Sequence, residues 1–298
     1  MNAPATIAVP TRPALRYLGG KWKLAPWIIS HFPPHRVYLE PFGGAASVLL
    51  RKPRSAGECY NDLDGNLVNL FAVLRDASNA AELCRRLRLT PFARKEYDLA
   101  FEETDDPIER ARRLVVRSYM GHGSSSAISA RSTGFRASLV NRGGTLPAGE
   151  WPGMPLALQA ITDRLQGVLL ECRPALQVID RYDAADTLIY LDPPYVHQTR
   201  SAKRRGGRAF HGYTFELSDT DHIALLERAL QAKAMIVVSG YSSPIYDDML
   251  SGWRRTTIET HADGALDRTE VLWMNPQACA ALAPADQHDI FALTSGSS

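Results

Sequence analysis

Strand-like apolar runs alternate with helical stretches in two blocks of this chain, and no other feature limits its fold as strongly. In the first block "RVYLEPF" (residues 36–42) reads as a strand and "GGAASVLLRK" (43–52) as the helix after it. "GECYNDLD" (57–64) reads as a second strand and "GNLVNLFAVLRD" (65–76) as a second helix. The second block begins near Val168 with strands "VLLEC" and "TLIYLD", the helix "SDTDHIALLERALQAKA" and the strand "MIVVSGY". Ser218 with Asp221 has the spacing of a capping box, which supports that helix. Late strands "RRTTIET" and "TEVLWMN" follow. Strands alternating with helices predict a mostly parallel, doubly wound α/β sheet whose ligands bind at the carboxyl ends of its strands.

The middle of the chain, roughly residues 79–164, breaks this rhythm. "DPIERARRLVVRSYM" is a helix with Ile108, Ala111, Val115 and Tyr119 on one face and a stripe of Arg110, Arg113 and Arg117 on another. The stretch from Gly121 to Gly153 is Gly/Ser-rich and reads as loop. From Arg110 to Gly149 inclusive there are seven arginines and no acid, so the middle is read as an inserted module with a basic surface. That segregation matters because the net charge of the 298 residues is only +2. Glu109–Arg113 and Asp106–Arg110 are also spaced as helical ion pairs, which offers a structural use for part of the stripe.

Other classes recede. The N-terminal "MNAPATIAVPTRP" lacks the basic and apolar regions of a signal peptide, and no run of eighteen apolar residues exists. Cys59, Cys84, Cys172 and Cys279 are scattered, which predicts free thiols in a reducing compartment and neither disulfides nor a zinc site. His31 and His35 are separated by Pro33 and Pro34 and do not form a helical metal pair, so no metal is expected.

Four stretches carry candidate chemistry. In "LEPFGGAAS" an acid and two glycines stand where the first strand turns, as in sheets whose ligand approaches the backbone closely. The phosphate-binding patterns Gly-x-Gly-x-x-Gly and Walker A are absent. Asp62, nineteen residues beyond Gly43, is near the spacing at which an acid accepts ribose hydroxyls, so an adenosine-type ligand without phosphates fits. A tight turn with a surface aspartate explains the same two features. In "RYLGGKWKLAPWI" Tyr17 is a candidate to stack on a purine and Lys21 to hold an acidic group.

The third stretch is "LIYLDPPYVH", residues 188–197. Pro193 and Pro194 stop the strand because neither has an N–H to donate. An exocyclic amine on a nucleobase is a poor nucleophile until two acceptors pull its N–H bonds towards tetrahedral geometry. Asp192 supplies one acceptor and the carbonyl of Pro193, fixed by the stiff turn, the other. Tyr195 offers a flat face for a base that has left the duplex. The carboxylate also favours positive charge developing on nitrogen. In the fourth stretch, five basic residues from Arg200 to Arg208, among them Lys203, Arg204 and Arg205, follow the turn without an acid and suit phosphate contacts.

With these residues in view the chain resembles the Dam-like (D12 class) DNA adenine-N6 methyltransferases, in which a glycine-rich motif, a target-recognition domain and Asp-Pro-Pro-Tyr follow in the same order. The resemblance spans about residues 14–276. It implies a Rossmann-like, mostly parallel seven-stranded sheet closed by an antiparallel hairpin. It also implies S-adenosyl-L-methionine as methyl donor, S-adenosyl-L-homocysteine as product, double-stranded DNA as substrate and a flipped adenine as target.

Motif by motif, "YLGGK" suggests Tyr17 and Lys21 as cofactor contacts, "LEPFGG" adds Glu40, Phe42 and Gly43, and "NDLD" assigns the ribose to Asp62. "DPPY" makes Asp192, Pro193 and Tyr195 catalytic, with Asp192 also beside the cofactor. "TGFR", residues 133–136, falls where the family carries a DNA-contacting hairpin, and the DNA-binding candidates are Arg117, Arg131, Arg136, Arg200, Lys203, Arg204 and Arg205. The family's glycine-aspartate pair before the catalytic strand is replaced here by Arg173-Pro174, which leaves the adenine contact open between backbone groups and Cys172. The implied organisation is a catalytic domain of residues 12–78 and 165–278, a target-recognition domain of 79–164 and a tail from 279. A cytoplasmic, nucleoid-associated monomer of bacterial or phage origin is implied, with room for a cognate restriction endonuclease. Cytosine-N4 methylation, RNA or protein-amide methylation and a catalytically silent DNA-binding homologue are the rivals.

Overall fold

The computed structural model describes residues 10–129, 131–139, 146–196, 215–262 and 266–282. Seven strands form one sheet: β1 (Val37–Glu40), β2 (Gly57–Asn61), β3 (Val168–Glu171), β4 (Thr187–Leu191), β5 (Met235–Gly240), β6 (Arg254–Ala262) and β7 (Leu266–Met274). Their order across the sheet is β3-β2-β1-β4-β5-β7-β6. The first five run parallel, whereas β7 is antiparallel to both β5 and β6. This is the Rossmann-like methyltransferase sheet with its closing antiparallel hairpin, as expected from the motifs.

The helices are α1 (Ala25–Ile29), α2 (Gly65–Arg75), α3 (Ala77–Leu89), α4 (Arg94–Leu99), α5 (Pro107–Met120), α6 (Pro147–Glu150) and α7 (Met154–Leu165), followed by α8 (Ala175–Tyr182), α9 (Asp219–Leu230), α10 (Pro244–Met249) and α11 (Pro276–Leu282). Strands β1, β4 and β5 are almost wholly buried, so they read as continuous apolar runs rather than alternating ones. Two apolar clusters cover the faces of the sheet. One holds Val178, Ile179, Leu225 and Leu226 against Ile189 and Ile236. The other joins Tyr38, Leu188 and Val237 to Leu70 and Phe71 of α2 and runs on into Leu83, Val115 and Leu158 of the middle helices. The middle segment is therefore packed on α2 through continuous apolar contact.

Local chemistry sets several helix ends. Asp106 accepts the N–H groups of Ile108 and Glu109 ahead of Pro107, which opens α5. Ser218 and Asp221 form the reciprocal capping box expected for α9. The apolar face of α5 is buried as read, with Ala111 and Val115 at 0% exposure.

Two expectations are corrected, and of the two uses read for the arginine stripe the ion-paired one is found at Glu109–Arg113. Residues 43–52 form successive turns and no helix. Ala46 there takes φ +53°, a left-handed conformation that no regular helix contains, and the Glu40 carboxylate captures the N–H of Leu49 at 3.0 Å. The arginine stripe of α5 is largely consumed by protein contacts. Arg113 pairs with Glu109 at 2.9 Å, and Arg110 donates to Asn69 at 2.8 Å. Residues 279–282, expected to be tail, continue α11. Among the described residues no helix is long and apolar enough to cross a membrane.

Candidate active site

At the carboxyl ends of β1, β2 and β4 lies a cavity of about 320 Å³. Tyr17, Lys21, Glu40, Phe42, Gly43, Asp62 and Asp192, all seven residues read from the sequence as cofactor contacts, line it. Parallel strands in near register explain the convergence. Leu39 stands beside Cys59 and Ile189, so Glu40, Asp62 and Asp192 leave the sheet along one edge.

The glycine turn is held from below. Tyr60 of β2 is fully buried and donates its hydroxyl to the Gly44 carbonyl at 2.8 Å, while its ring lies directly under Gly43. A Cβ on Gly43 would stand 2.1 Å from Tyr60 Cε2, so only glycine lets the loop lie this low. Gly44, at φ +50°, takes the left-handed conformation and donates its N–H to Asp62 Oδ2 at 2.8 Å. Asp62 Oδ1 accepts from Asp64 N–H at 2.8 Å. Burial outweighs these bonds and raises the Asp62 carboxyl to about 6. Glu40 is 3% exposed, and its Oε2 accepts from the Tyr38 hydroxyl at 3.1 Å and Leu49 N–H at 3.0 Å. Burial, with Asp192 nearby, lifts it to about 8 in spite of those bonds.

Asp192 follows the last residue of β4 and opens the prolyl turn. Lys21 Nζ reaches its Oδ1 at 2.9 Å, and the Ser239 hydroxyl donates to the same oxygen at 3.0 Å. Oδ2 makes no hydrogen bond or ion pair among the described residues. Lys21, only 4% exposed, also meets Glu270 of β7 at 3.2 Å and donates to the Tyr195 hydroxyl at 2.6 Å. Burial alone would lower this ammonium, but the carboxylates of Asp192 and Glu270 hold it well above the usual lysine range. Burial pushes Glu270 up, with Lys21 opposing. Tyr195 thus has its hydroxyl fixed in a charged cluster, while its ring stacks on Tyr241 with centroids 4.2 Å apart.

Sequence reasoning missed Glu270, Ser239 and Tyr241, which reach the site from β7 and the end of β5. It also missed Asn61, whose side chain donates to the carbonyls of Pro41 and Arg173 and accepts from Arg173 N–H, tying together the segments that follow β1 and β3. Asn61 precedes the motif aspartate and Glu270 sits in a quoted motif, but nothing in one dimension marks their partners. Ala175 lines the cavity, whereas Cys172 is exposed and turned to the Leu63 carbonyl.

The DNA-binding candidates among the described residues differ in their surroundings. Arg117 lies within 5.7 Å of the Phe101 ring and is lowered by burial. Arg136 donates to the Tyr119 carbonyl at 3.0 Å, and Arg131 is exposed. "TGFR" runs antiparallel to Gly121 through a single bridge at Phe135, and Tyr97 accepts the N–H of Thr133 at 3.0 Å. Arg200, Lys203, Arg204 and Arg205 lie outside the described residues.

A seven-stranded sheet of this topology, with an acid-lined cavity at its strand ends and Asp-Pro-Pro-Tyr at its rim, defines a Rossmann-like methyltransferase. Residues 17–139 match the family model of the D12 class N6 adenine-specific DNA methyltransferases. The chain is 24% identical over 243 residues to the DNA adenine methylase of Salmonella typhi, covering 78% of this chain and 82% of that protein. It is 23% identical over 241 residues to the DNA adenine methylase of Escherichia coli K12, covering 78% and 81%. With the DNA adenine methylase of Serratia marcescens it shares 25% identity over 249 residues, covering 80% and 86%. These matches bear out the resemblance carried by the motifs: the chain is a relative of the D12 class adenine-specific DNA methyltransferases.

Proposed function

We propose that this chain methylates the N6 amine of adenine in double-stranded DNA, with S-adenosyl-L-methionine as donor, and draws the target base out of the duplex to do so. One observation carries the reading. Asp192 both closes the cavity walled by Glu40, Gly43 and Asp62 and begins the turn that bears Tyr195.

The donor set suits an adenosyl cofactor. Asp62 is placed for ribose hydroxyls, Phe42 and Leu63 offer apolar surface, Asp192 supplies negative charge for a cationic group, and Glu40 adds its own as that cation displaces its proton. When bound, the cofactor supplies an electrophilic methyl group on a positively charged sulfur. The chain's own residues prepare the amine. Lys21 and Ser239 occupy Asp192 Oδ1, which leaves Oδ2 to accept one amine N–H, while the Pro193 carbonyl accepts the other. Lys21 carries one positive charge between two carboxylates, so the cluster favours positive charge developing on the amine nitrogen. Residues 12–78 and 165–278 form the catalytic unit in this reading, and residues 79–164 recognise the target sequence, with Arg131 and Arg136 on the DNA side.

Cytosine-N4 methylation uses the same chemistry, but an aspartate at the head of the tetrapeptide favours adenine. Incubation with unmethylated duplex DNA and labelled cofactor, followed by digestion to nucleosides, tests the proposal. N6-methyladenine is the expected product. N4-methylcytosine, or label confined to RNA or protein, would sink the reading.

A further inference from the structure

Tyr195 is one wall for the target base, and a second aromatic ring already rests against it. Tyr241 follows directly on β5, the parallel neighbour of β4, and the pairing of Leu191 with Val238 lets β5 run two residues past the end of β4, alongside the prolyl turn. The prolyl turn and Tyr241 therefore leave the sheet side by side. Their rings are 25° from parallel with centroids 4.2 Å apart, a stacked contact. The space bounded by Pro193, Tyr195, Ser239, Tyr241 and Tyr246 is about 10 Å³, enough for no more than one water. Beyond Pro194 the cofactor cavity offers about 320 Å³. Among the described residues, the space between these two rings does not admit a base.

A base held between two rings needs about 3.5 Å on each side, so the rings must separate to roughly 7 Å. Tyr195 is the fixed partner, because Pro193 and Pro194 stiffen its turn and Lys21 holds its hydroxyl at 2.6 Å. Tyr241 opens the segment 241–243 that joins β5 to α10 and, unlike the turn of Tyr195, follows a glycine and no proline.

We propose that Tyr241 is the second wall of the base site: its ring lies on Tyr195 while the site is empty and parts from it to sandwich the extrahelical adenine. The inference rests on the base-flipping reading above and adds a substrate-binding residue to it.

The test compares two duplexes containing the methylated sequence, one fully paired and one with an abasic position opposite the target adenine. The second has no pair to break, so its extra affinity reports that the bound adenine is extrahelical, and affinity lost in a variant reports contacts to that base. The native protein should bind the abasic duplex more tightly. Tyr241→Ala and Tyr241→Leu should lose roughly 5- to 150-fold of that binding, the range for one base–aromatic stack, and Tyr241→Phe should keep it. Cofactor affinity, measured alongside by calorimetry, should not change in any of the three. Equal or tighter binding by both Tyr241→Ala and Tyr241→Leu would show that Tyr241 is no wall and overturn the proposal alone. Failure of the native protein itself to prefer the abasic duplex would overturn base flipping, and the proposal with it.

Discussion

Lys21 shows how single residues set the electrostatics of this site. Its ammonium is buried between Asp192 at 2.9 Å and Glu270 at 3.2 Å, and neither carboxylate has another cation within ion-pair reach among the described residues. Lys21→Met should therefore destabilise the fold by about 3–5 kcal/mol, towards the lower end because Asp192 keeps 18% exposure. Adding Glu270→Gln should restore part of that loss in urea unfolding; a double variant no more stable than Lys21→Met would contradict the charge argument. Two acids in the cavity give a second expectation. Asp62 is raised from 3.8 to about 6 and Glu40 from 4.5 to about 8, so the folded protein holds more protons than the unfolded chain within those windows. Their contribution to ligand-free stability therefore declines as pH rises from about 4 to about 8. Glu40→Gln should flatten the decline in urea midpoints between pH 5 and 8, and an unchanged slope would remove Glu40 from the account. Cofactor affinity should fall below about pH 6 as Asp62 takes up its proton, and Asp62→Asn should bind weakly at every pH. At this scale the sequence was informative where motif residues act locally. It was silent on Lys21–Glu270, 249 positions apart, because pairing over that distance is created by the sheet.

Among the elements, the turn after β1 separates what periodicity can and cannot reveal. The strand and its two glycines were legible, but the following residues carry helical composition and still form no helix. Ala46 at positive φ and the Glu40 carboxylate on the Leu49 N–H are tertiary choices that override propensity. The glycine requirement has a direct test. Gly43→Ala places a methyl group 2.1 Å from a Tyr60 ring that is itself fixed by its bond to Gly44 and its packing on Phe71. The substitution should cost about 1–3 kcal/mol in denaturant unfolding and at least roughly tenfold in cofactor affinity by calorimetry. Unaltered affinity would mean that the loop's low seat on Tyr60 does not shape the cavity. For α5 the apolar face was legible, whereas the destination of its arginines depended on partners elsewhere. Glu96 and Thr90, which engage Arg112, lie in other elements.

For the molecule as a whole, segregated charge has to supply any DNA-binding surface, since the net charge is only +2. Arg112 is bonded to Glu109, Glu96 and Thr90, whereas Arg131 is exposed. Arg131→Ala should reduce the slope of log affinity against log salt by about 1, and Arg112→Ala should lower stability while leaving the slope unchanged. The reverse pattern in binding titrations would move the DNA face elsewhere. The mostly parallel, doubly wound class was legible because strand and helix alternate along the chain. The seven strands and the closing hairpin were implied by the family resemblance of the motifs, and the strand order is written only in the fold. The packing of the middle helices on α2 was not legible, because one apolar face does not reveal its partner. The central claim is that Asp192 grips the amine at the rim of a cofactor cavity, and one measurement addresses it most directly. Single-turnover methylation and cofactor affinity are determined together for the native protein and Asp192→Ala. The account predicts a turnover rate lower by at least about 10²–10³-fold with most of the cofactor binding retained. Native turnover in the Asp192→Ala protein would contradict it.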